Sequence, residues 1–173
     1  ILINNAGMSK RGPFLEISDE EWQGDFDLKV FAAIRLIRHF LPEMQSRNWG
    51  RVINVLNIGA KAPPATTAPT AVSRAAGMAL TKILAGECGP HGVLVNALHV
   101  GLIDSDQWVQ RHAAAGGEVS YEEFLDGMAG GIPLGRMGRS EEFANIACFL
   151  ASDMASYING VSINVDGGKS PVL

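Results

Sequence analysis

The side chains able to move protons or bind ligands are few and unevenly placed. The chain has 4 histidines and 2 cysteines. Cys88 and Cys148 are far apart and match no metal or redox spacing, which points to two reduced, buried thiols in a cytoplasmic protein. His99 closes an apolar run just before Gly101, and an imidazole there is either an acid–base group or a histidine satisfied at a strand end. Lys29 sits among apolar residues, where it either relays a proton or pairs with Asp25 or Asp27. Lys61 lies on a Pro-rich loop, either reaching over it or solvated. Asp104 and Ser105 follow Gly101 as a ligand contact or a capped turn. His91 and His112 read as surface residues. No His, Cys, Asp or Glu cluster has ligand spacing, so no metal is expected.

The stretch that must position these groups is Arg51 to Lys82. It reads as a buried strand over Val52–Leu56, a Pro-rich loop, and an Ala-rich helix over Pro69–Gly89 whose small residues permit close packing. Polar residues concentrate where strand meets loop. Upstream, Ile1–Asn4 is a short apolar strand ending in Asn-Asn-Ala-Gly. Ser18 with Glu21 forms a capping-box signature, and helical spacing of apolar residues runs from about Asp25 to Arg47, with Pro42 as a bend point. Downstream come a strand over Val93–Leu98, a loop over Gly101–Asp106, a capped helix after Ser120, a helix capped by Ser140 that ends near Ala151, and a last strand over Gly160–Val165. Trp108, Val109, Tyr121 and Phe124 either line an apolar pocket or pack helices together. Strands alternating with helices predict a parallel sheet with helices on both faces.

A length of 173 residues suits one domain, and 47% hydrophobic content is enough for one core. The net charge of −4 gives no reason to expect nucleic acid or an anionic membrane as partner. No apolar run is long enough to span a bilayer, and no signal-peptide pattern opens the chain.

Six motifs, in order, carry a family resemblance. They are Asn4–Gly7 (NNAG), Ile53–Val55 (INV), the helix entered through TAVSRAAGMALTK, Val95–Asp106 with VNAL and VGLIDSD, Ile132–Ser152, and Gly160–Gly168 (GVSINVDGG). Together they resemble the second half of a short-chain dehydrogenase/reductase, and the resemblance covers essentially the whole chain. It implies an α/β fold, a Rossmann-like doubly wound parallel sheet in three α/β/α layers, seen from its fourth strand onward. Residues 1–173 would then be a single domain without the Gly-rich dinucleotide-binding half, and residues 106–131 a substrate lid with Gly-rich hinges. The natural polypeptide is expected to be longer, because Ile1–Asn4 would otherwise be an exposed apolar sheet edge.

The resemblance also implies NAD or NADP, held by Asn5, Ala6, Gly7, Gly101, Ile103 and Ser105, and a small-molecule substrate or ligand. The helices from Asp25 and from Pro69 resemble those that build a homodimer or homotetramer in the family. Catalysis there uses a Tyr-x-x-x-Lys pair, a Ser thirteen residues earlier and an Asn on the preceding helix. The phenol exchanges the proton of the substrate oxygen, the ammonium lowers the phenol pKa, the Ser orients the oxygen, and the Asn helps hold a relay water. Here those positions hold Thr70, Arg74, Asn57 and Lys29. All are substituted. A Thr hydroxyl is far less acidic than a phenol and shorter, Arg74 stays charged, and Asn57 can still donate a hydrogen bond to a carbonyl. His99, on the nicotinamide side, is the remaining acid–base candidate. Two functions follow: an NAD(P)-dependent oxidoreductase with an atypical active site, or a catalytically silent relative that binds a ligand or serves as a structural subunit.

Overall fold

Each buried strand is apolar almost throughout because helices cover both of its faces. The computed structural model describes residues 1–173. Strand β1 (Leu2–Asn4), β3 (Gly50–Asn57), β5 (Val93–Val100) and β6 (Ser162–Val165) form one sheet in the order β1-β3-β5-β6. All of its pairings are parallel, with Leu2 opposite Val52, Asn57 opposite Val100 and Val100 opposite Val165. Neighbouring side chains of β3 go to opposite layers. Val52, with Val93 and Val95, meets Ile37 and Met44 on one side, whereas Ile53, with Leu98, meets Ala147 and Leu150 on the other. That alternation is why both positions must be apolar in a sheet buried on both faces. The three-layer α/β/α arrangement is therefore as the motifs imply.

The first layer is built by α2 (Ala32–Ser46) and α3 (Thr70–Cys88). Before α2 runs α1 (Asp19–Phe26), capped by Ser18 and Glu21 in a reciprocal box. A π-turn over Asp27–Phe31 joins the two without a break. The helix thus begins earlier than Asp25, and its irregularity lies at the π-turn, whereas Pro42 is accommodated inside α2. A wider turn at this point re-aims the side chains around it, and Lys29 lies inside it.

The opposite layer is α6 (Ser140–Ala151). Its N-cap is Arg139, whose backbone N–H donates to the Glu142 carboxylate at 2.8 Å. The expected cap, Ser140, instead donates its hydroxyl hydrogen to the Asp104 carbonyl at 3.0 Å. Arg136 holds the Glu142 carboxyl down to about 2, helped by that backbone bond. Between these layers and the end of the sheet sit α4 (Asp106–Ala114) and α5 (Tyr121–Ala129), the latter capped by Ser120 and Glu123. Trp108, Ile132 and Met137 form their buried cluster, with Tyr121 and Phe124 packed against it. Helix packing accounts for Trp108, Tyr121 and Phe124, while Val109 faces solvent. A two-residue pair, β2 (Arg11–Gly12) with β4 (Ala68–Pro69), brings the loop after β1 onto the start of α3. No helix is long and apolar enough to cross a membrane.

Candidate functional site

The positions singled out by spacing converge at the C-terminal ends of β1, β3 and β5, beside the first turns of α3. They separate into a closed polar cluster and a set of open groups.

The closed cluster is centred on Asp25. Its Oδ1 accepts from the Lys29 ammonium and from the Thr70 hydroxyl at 3.3 Å, and its Oδ2 accepts from the Ser73 hydroxyl at 2.5 Å. Thr70 Oγ1 also accepts from Lys29 Nζ at 2.8 Å and from the Lys10 backbone N–H at 2.9 Å. One hydrogen and two lone pairs are all a hydroxyl has. Thr70 is therefore saturated, and only 3% of it is exposed. It has nothing to offer a substrate at the position where the family places its phenol. Burial pushes the Lys29 ammonium below the ordinary lysine range, and Asp25 works against that shift. Of the readings open for Lys29, pairing with Asp25 is the one the geometry realises. Asp27 instead faces Arg35 at 3.6 Å. Neither Asp25 nor Ser73 stands out in the sequence as a site residue. The only signal for Asp25 is its i,i+4 spacing to a lysine on an otherwise apolar face.

Arg74 leaves that cluster and turns toward β1. Its Nη1 donates to the Val55 carbonyl, and its Nε is buried without a partner. A Cβ on Gly7 would stand 2.2 Å from Arg74 Nη2, so the glycine of the Asn-Asn-Ala-Gly turn is what admits the guanidinium. Burial lowers the Arg74 pKa, with Asp25 opposing. The turn itself is anchored by its first residue. Asn4 Nδ2 donates to Asn54 Oδ1 at 2.8 Å, and Asn54 Nδ2 donates to Thr81 Oγ1 at 2.9 Å. Asn5, Ala6 and Gly7 are left exposed at the strand end.

Asn57 ends β3. Its side-chain oxygen is buried without a partner, and its amide makes no hydrogen bond within the chain. His99 is different: none of its surface is exposed. Its Nδ1 is 2.7 Å from the Asn57 carbonyl and its Nε2 is 2.5 Å from the Ser162 hydroxyl. A carbonyl can only accept, so Nδ1 carries the hydrogen and Nε2 accepts from Ser162. Burial holds this imidazole below its ordinary pKa. With both nitrogens used, His99 cannot exchange a proton with a substrate, and its strand-end reading is the one realised. Lys61 is half-buried and donates to the Ser162 carbonyl at 2.7 Å.

On the other side of the strand ends, Gly101 lies against Asp166. A Cβ there would meet Asp166 Cβ at 2.5 Å and Cα at 2.6 Å, so the residue has to be glycine. Ile103 bridges to Gly138. Asp104 accepts from the Tyr121 phenol, and burial together with that carboxylate pushes the phenol pKa up to about 12. Ser105 occupies the N-cap position of α4, yet its hydroxyl makes no capping bond and is exposed.

The orphaned Arg74 Nε and Asn57 Oδ1, the exposed Asn5–Gly7 turn and the free Ser105 hydroxyl all lie at the carboxyl ends of parallel strands. Ligands of doubly wound sheets bind in that crevice. These groups fit the nicotinamide and ribose end of a dinucleotide, with Arg74 able to donate to ribose oxygens. Three or more His, Cys, Asp or Glu side chains converge nowhere in a way that would hold a metal ion.

Comparison with known proteins identifies the family. Residues 1–170 match the family model described as enoyl-(acyl carrier protein) reductase. The 3-oxoacyl-[acyl-carrier-protein] reductase FabG of Aquifex aeolicus is 33% identical over 168 residues, covering 97% of this chain and 64% of the relative. The chain thus spans 64% of the length of such relatives, the FabG of Pseudomonas aeruginosa included. The L-sorbose reductase of Gluconobacter frateurii, solved with NADPH and L-sorbose, superposes with a TM-score of 0.94 at 33% identity, over 99% of this chain and 66% of that one. A short-chain oxidoreductase of Pseudomonas aeruginosa PAO1, described as containing an atypical catalytic center and solved with NADPH, gives 0.91 at 35% identity, over 99% and 66%. On the ordered motifs, the sheet and these matches, the chain belongs to the short-chain dehydrogenase/reductase family.

Proposed function

We propose that this chain carries the substrate side of an NAD(P)-dependent oxidoreductase that transfers hydride between a nicotinamide and a small carbonyl or alcohol. The observation that carries the proposal is the unpaired Asn57 amide. Thr70 and His99 have their hydrogen-bonding capacity filled within the chain, and Lys29 is buried against Asp25 and Thr70. Asn57 and Arg74 alone among the substituted positions keep unpaired polar atoms, and Asn57 is the one that ends β3. Its amide N–H would hold the carbonyl oxygen, and the Arg74 charge, held at the Val55 carbonyl on the same strand, would stabilise negative charge as it develops. Nothing in the chain takes the place of the phenol, so the proton of the product hydroxyl comes from water in the open crevice. Bound NAD(P)H would supply the hydride. Asn5, Ala6, Gly7 and Arg74 would hold its ribose side, and Gly101, Ile103 and Ser105 its carboxamide side. Residues 1–173 act as one domain in this reading, with 106–131 as the lid over the substrate and a homodimer or homotetramer as the working state. Support comes from the reductases that match the chain, one of which combines NADPH with an atypical catalytic center.

The saturation of Thr70 favours a second reading, that of a catalytically silent member that binds cofactor or ligand. The test is a fluorescence titration of the natural polypeptide with NADH and NADPH, followed by a screen of carbonyls and alcohols for nicotinamide absorbance change. Turnover that falls at least about tenfold in Asn57→Ala, a loss of order 1.4 kcal/mol in the transition state, supports the oxidoreductase. Binding without turnover, unaltered by Asn57→Ala, assigns the silent role.

A further inference from the structure

The hydrogen bonds of His99 leave a question about what an imidazole is doing at a position so thoroughly buried. An apolar side chain would pack there without the burden of two polar atoms. The β3–β5 ladder ends where Asn57 faces Val100. The Gly101 N–H, like that of Ala97, faces β6 and donates to the Val165 carbonyl at 3.0 Å. The carbonyl of Asn57 is the last of β3, and the donor it meets is His99 Nδ1 at 2.7 Å. Behind the ring, Ser162 donates to Nε2 at 2.5 Å, and the Ser162 carbonyl is held in turn by Lys61 Nζ at 2.7 Å. Lys61 follows the short 3-10 turn Ile58–Ala60 that begins directly after Asn57. The array therefore returns to the residue it started from: Asn57 to His99, to Ser162, to Lys61, and through one helical turn back to Asn57.

We propose that His99 is a positioning residue: with Ser162 and Lys61 it fixes the backbone at the end of β3 so that the Asn57 amide points at the substrate oxygen. This rests on the reading of Asn57 as the group that orients the carbonyl. A side chain that has no hydrogen-bond partner within the chain is held by packing alone, and a carbonyl can be oriented only if its donor is held within a fraction of an ångström. The side chain of Asn57 receives no such support from neighbouring side chains. Its backbone does, from both sides of the residue, and the imidazole is the one member of the array that touches Asn57 itself. Its fixed tautomer matters here, because a ring with hydrogen on Nε2 alone would present a lone pair to the Asn57 carbonyl.

The test uses the natural polypeptide and four variants. His99→Phe keeps the ring volume and removes both polar atoms, His99→Asn keeps a short amide donor toward the Asn57 carbonyl, Ser162→Ala frees the back of the ring, and Asn57→Ala removes the group being positioned. With a substrate found in the screen, His99→Phe should lower kcat about tenfold with little change in the KM for cofactor. His99→Asn should recover most of that loss, and His99→Phe should cost nothing further once Asn57 is Ala, because the two act as one unit. Wild-type kcat in folded His99→Phe, or a loss that simply adds to that of Asn57→Ala, overturns the proposal. If Asn57→Ala retains wild-type turnover, it is the carbonyl-orienting reading that fails. The side-chain amide resonances of Asn57 report on positioning without any turnover. They should shift and broaden in His99→Phe, respond in Ser162→Ala, and return in His99→Asn; unmoved resonances in His99→Phe overturn the proposal.

Discussion

At the scale of single residues, the substituted catalytic positions form a self-contained hydrogen-bonded unit. Thr70 gives and receives bonds that link Lys10, Asp25 and Lys29. Thr70→Ala leaves those groups short of a partner in a buried place, and should destabilise by about 1–3 kcal/mol, read as a lowered midpoint in urea. Lys29→Met is worse, because it leaves the Asp25 carboxylate buried and unpaired. About 3–5 kcal/mol is the expected cost, and Asp25→Asn in the same chain should recover part of it. For the same reason, Thr70→Tyr alone should cost stability by breaking up the cluster without giving a useful phenol. His99 contributes a pH dependence whose sign is definite. Its folded pKa lies below its ordinary value because burial disfavours the charged ring, so below about 6.5 the unfolded chain binds the extra proton first. Stability should fall as pH drops through that window and stay level above it. In His99→Phe this dependence should be absent, and urea midpoints across the pH series measure it.

At the scale of elements, most of the secondary structure is legible in the sequence because local signals and burial agree. Capping boxes at Ser18 and Ser120 begin helices as their spacing predicts, and the apolar runs at Val52 and Val93 are strands because both faces are covered. The exceptions have a common cause. Ser140 is a good cap by type, but a tertiary partner, the Asp104 carbonyl, takes its hydroxyl and the cap passes to Arg139. The π-turn over Asp27–Phe31 has no local signature, and it lies beside the buried Asp25 cluster, whose bonds join residues 45 and 48 positions apart. The candidate site is legible in its positions along the strands and not in its bonding: Asn57 ends β3 and His99 lies near the end of β5, while the filling of the His99 ring depends on Ser162, far away in sequence. A contact between elements gives the next prediction. The Tyr121–Asp104 bond ties α5 to the loop after β5, and a phenol whose pKa is near 12 stays a donor across ordinary pH. Tyr121→Phe should raise amide exchange in residues 121–129 about tenfold, the equivalent of ~1.4 kcal/mol, with β3 and β5 unchanged; equal exchange would show that α5 is held by its apolar cluster alone.

At the scale of the whole molecule, the helix layer of α2 and α3 has two faces. The inner one fills the core beneath the sheet through Ile37, Met44, Ala85 and Cys88. The outer one is unusually apolar for a solvent face. Leu36 and Phe40 stand four residues apart on α2, Leu28 and Phe31 precede them at the π-turn, and Val72 and Ile83 stand three turns apart on α3. Their exposures run from 37% to 58%. Scattered apolar residues need no explanation, but a stripe shared by two adjacent helices does. The small residues Ala76 and Ala79 lie between Val72 and Ile83 on α3, so a second helix layer can approach closely there. Self-association about a two-fold axis covers such a stripe with its own copy. The expectation is a homodimer or homotetramer in sedimentation at micromolar concentration. Ile83→Glu places a charge inside that contact in each copy and, being exposed within one chain, should leave the fold intact while shifting the species toward monomer. Phe31→Asp should act the same way and also remove the Arg35 guanidinium from its place 5.8 Å over the Phe31 ring. Sedimentation as monomer alone in the unmutated protein, or an assembly that survives both charges, would show that the outer face of α2 and α3 is not where copies meet.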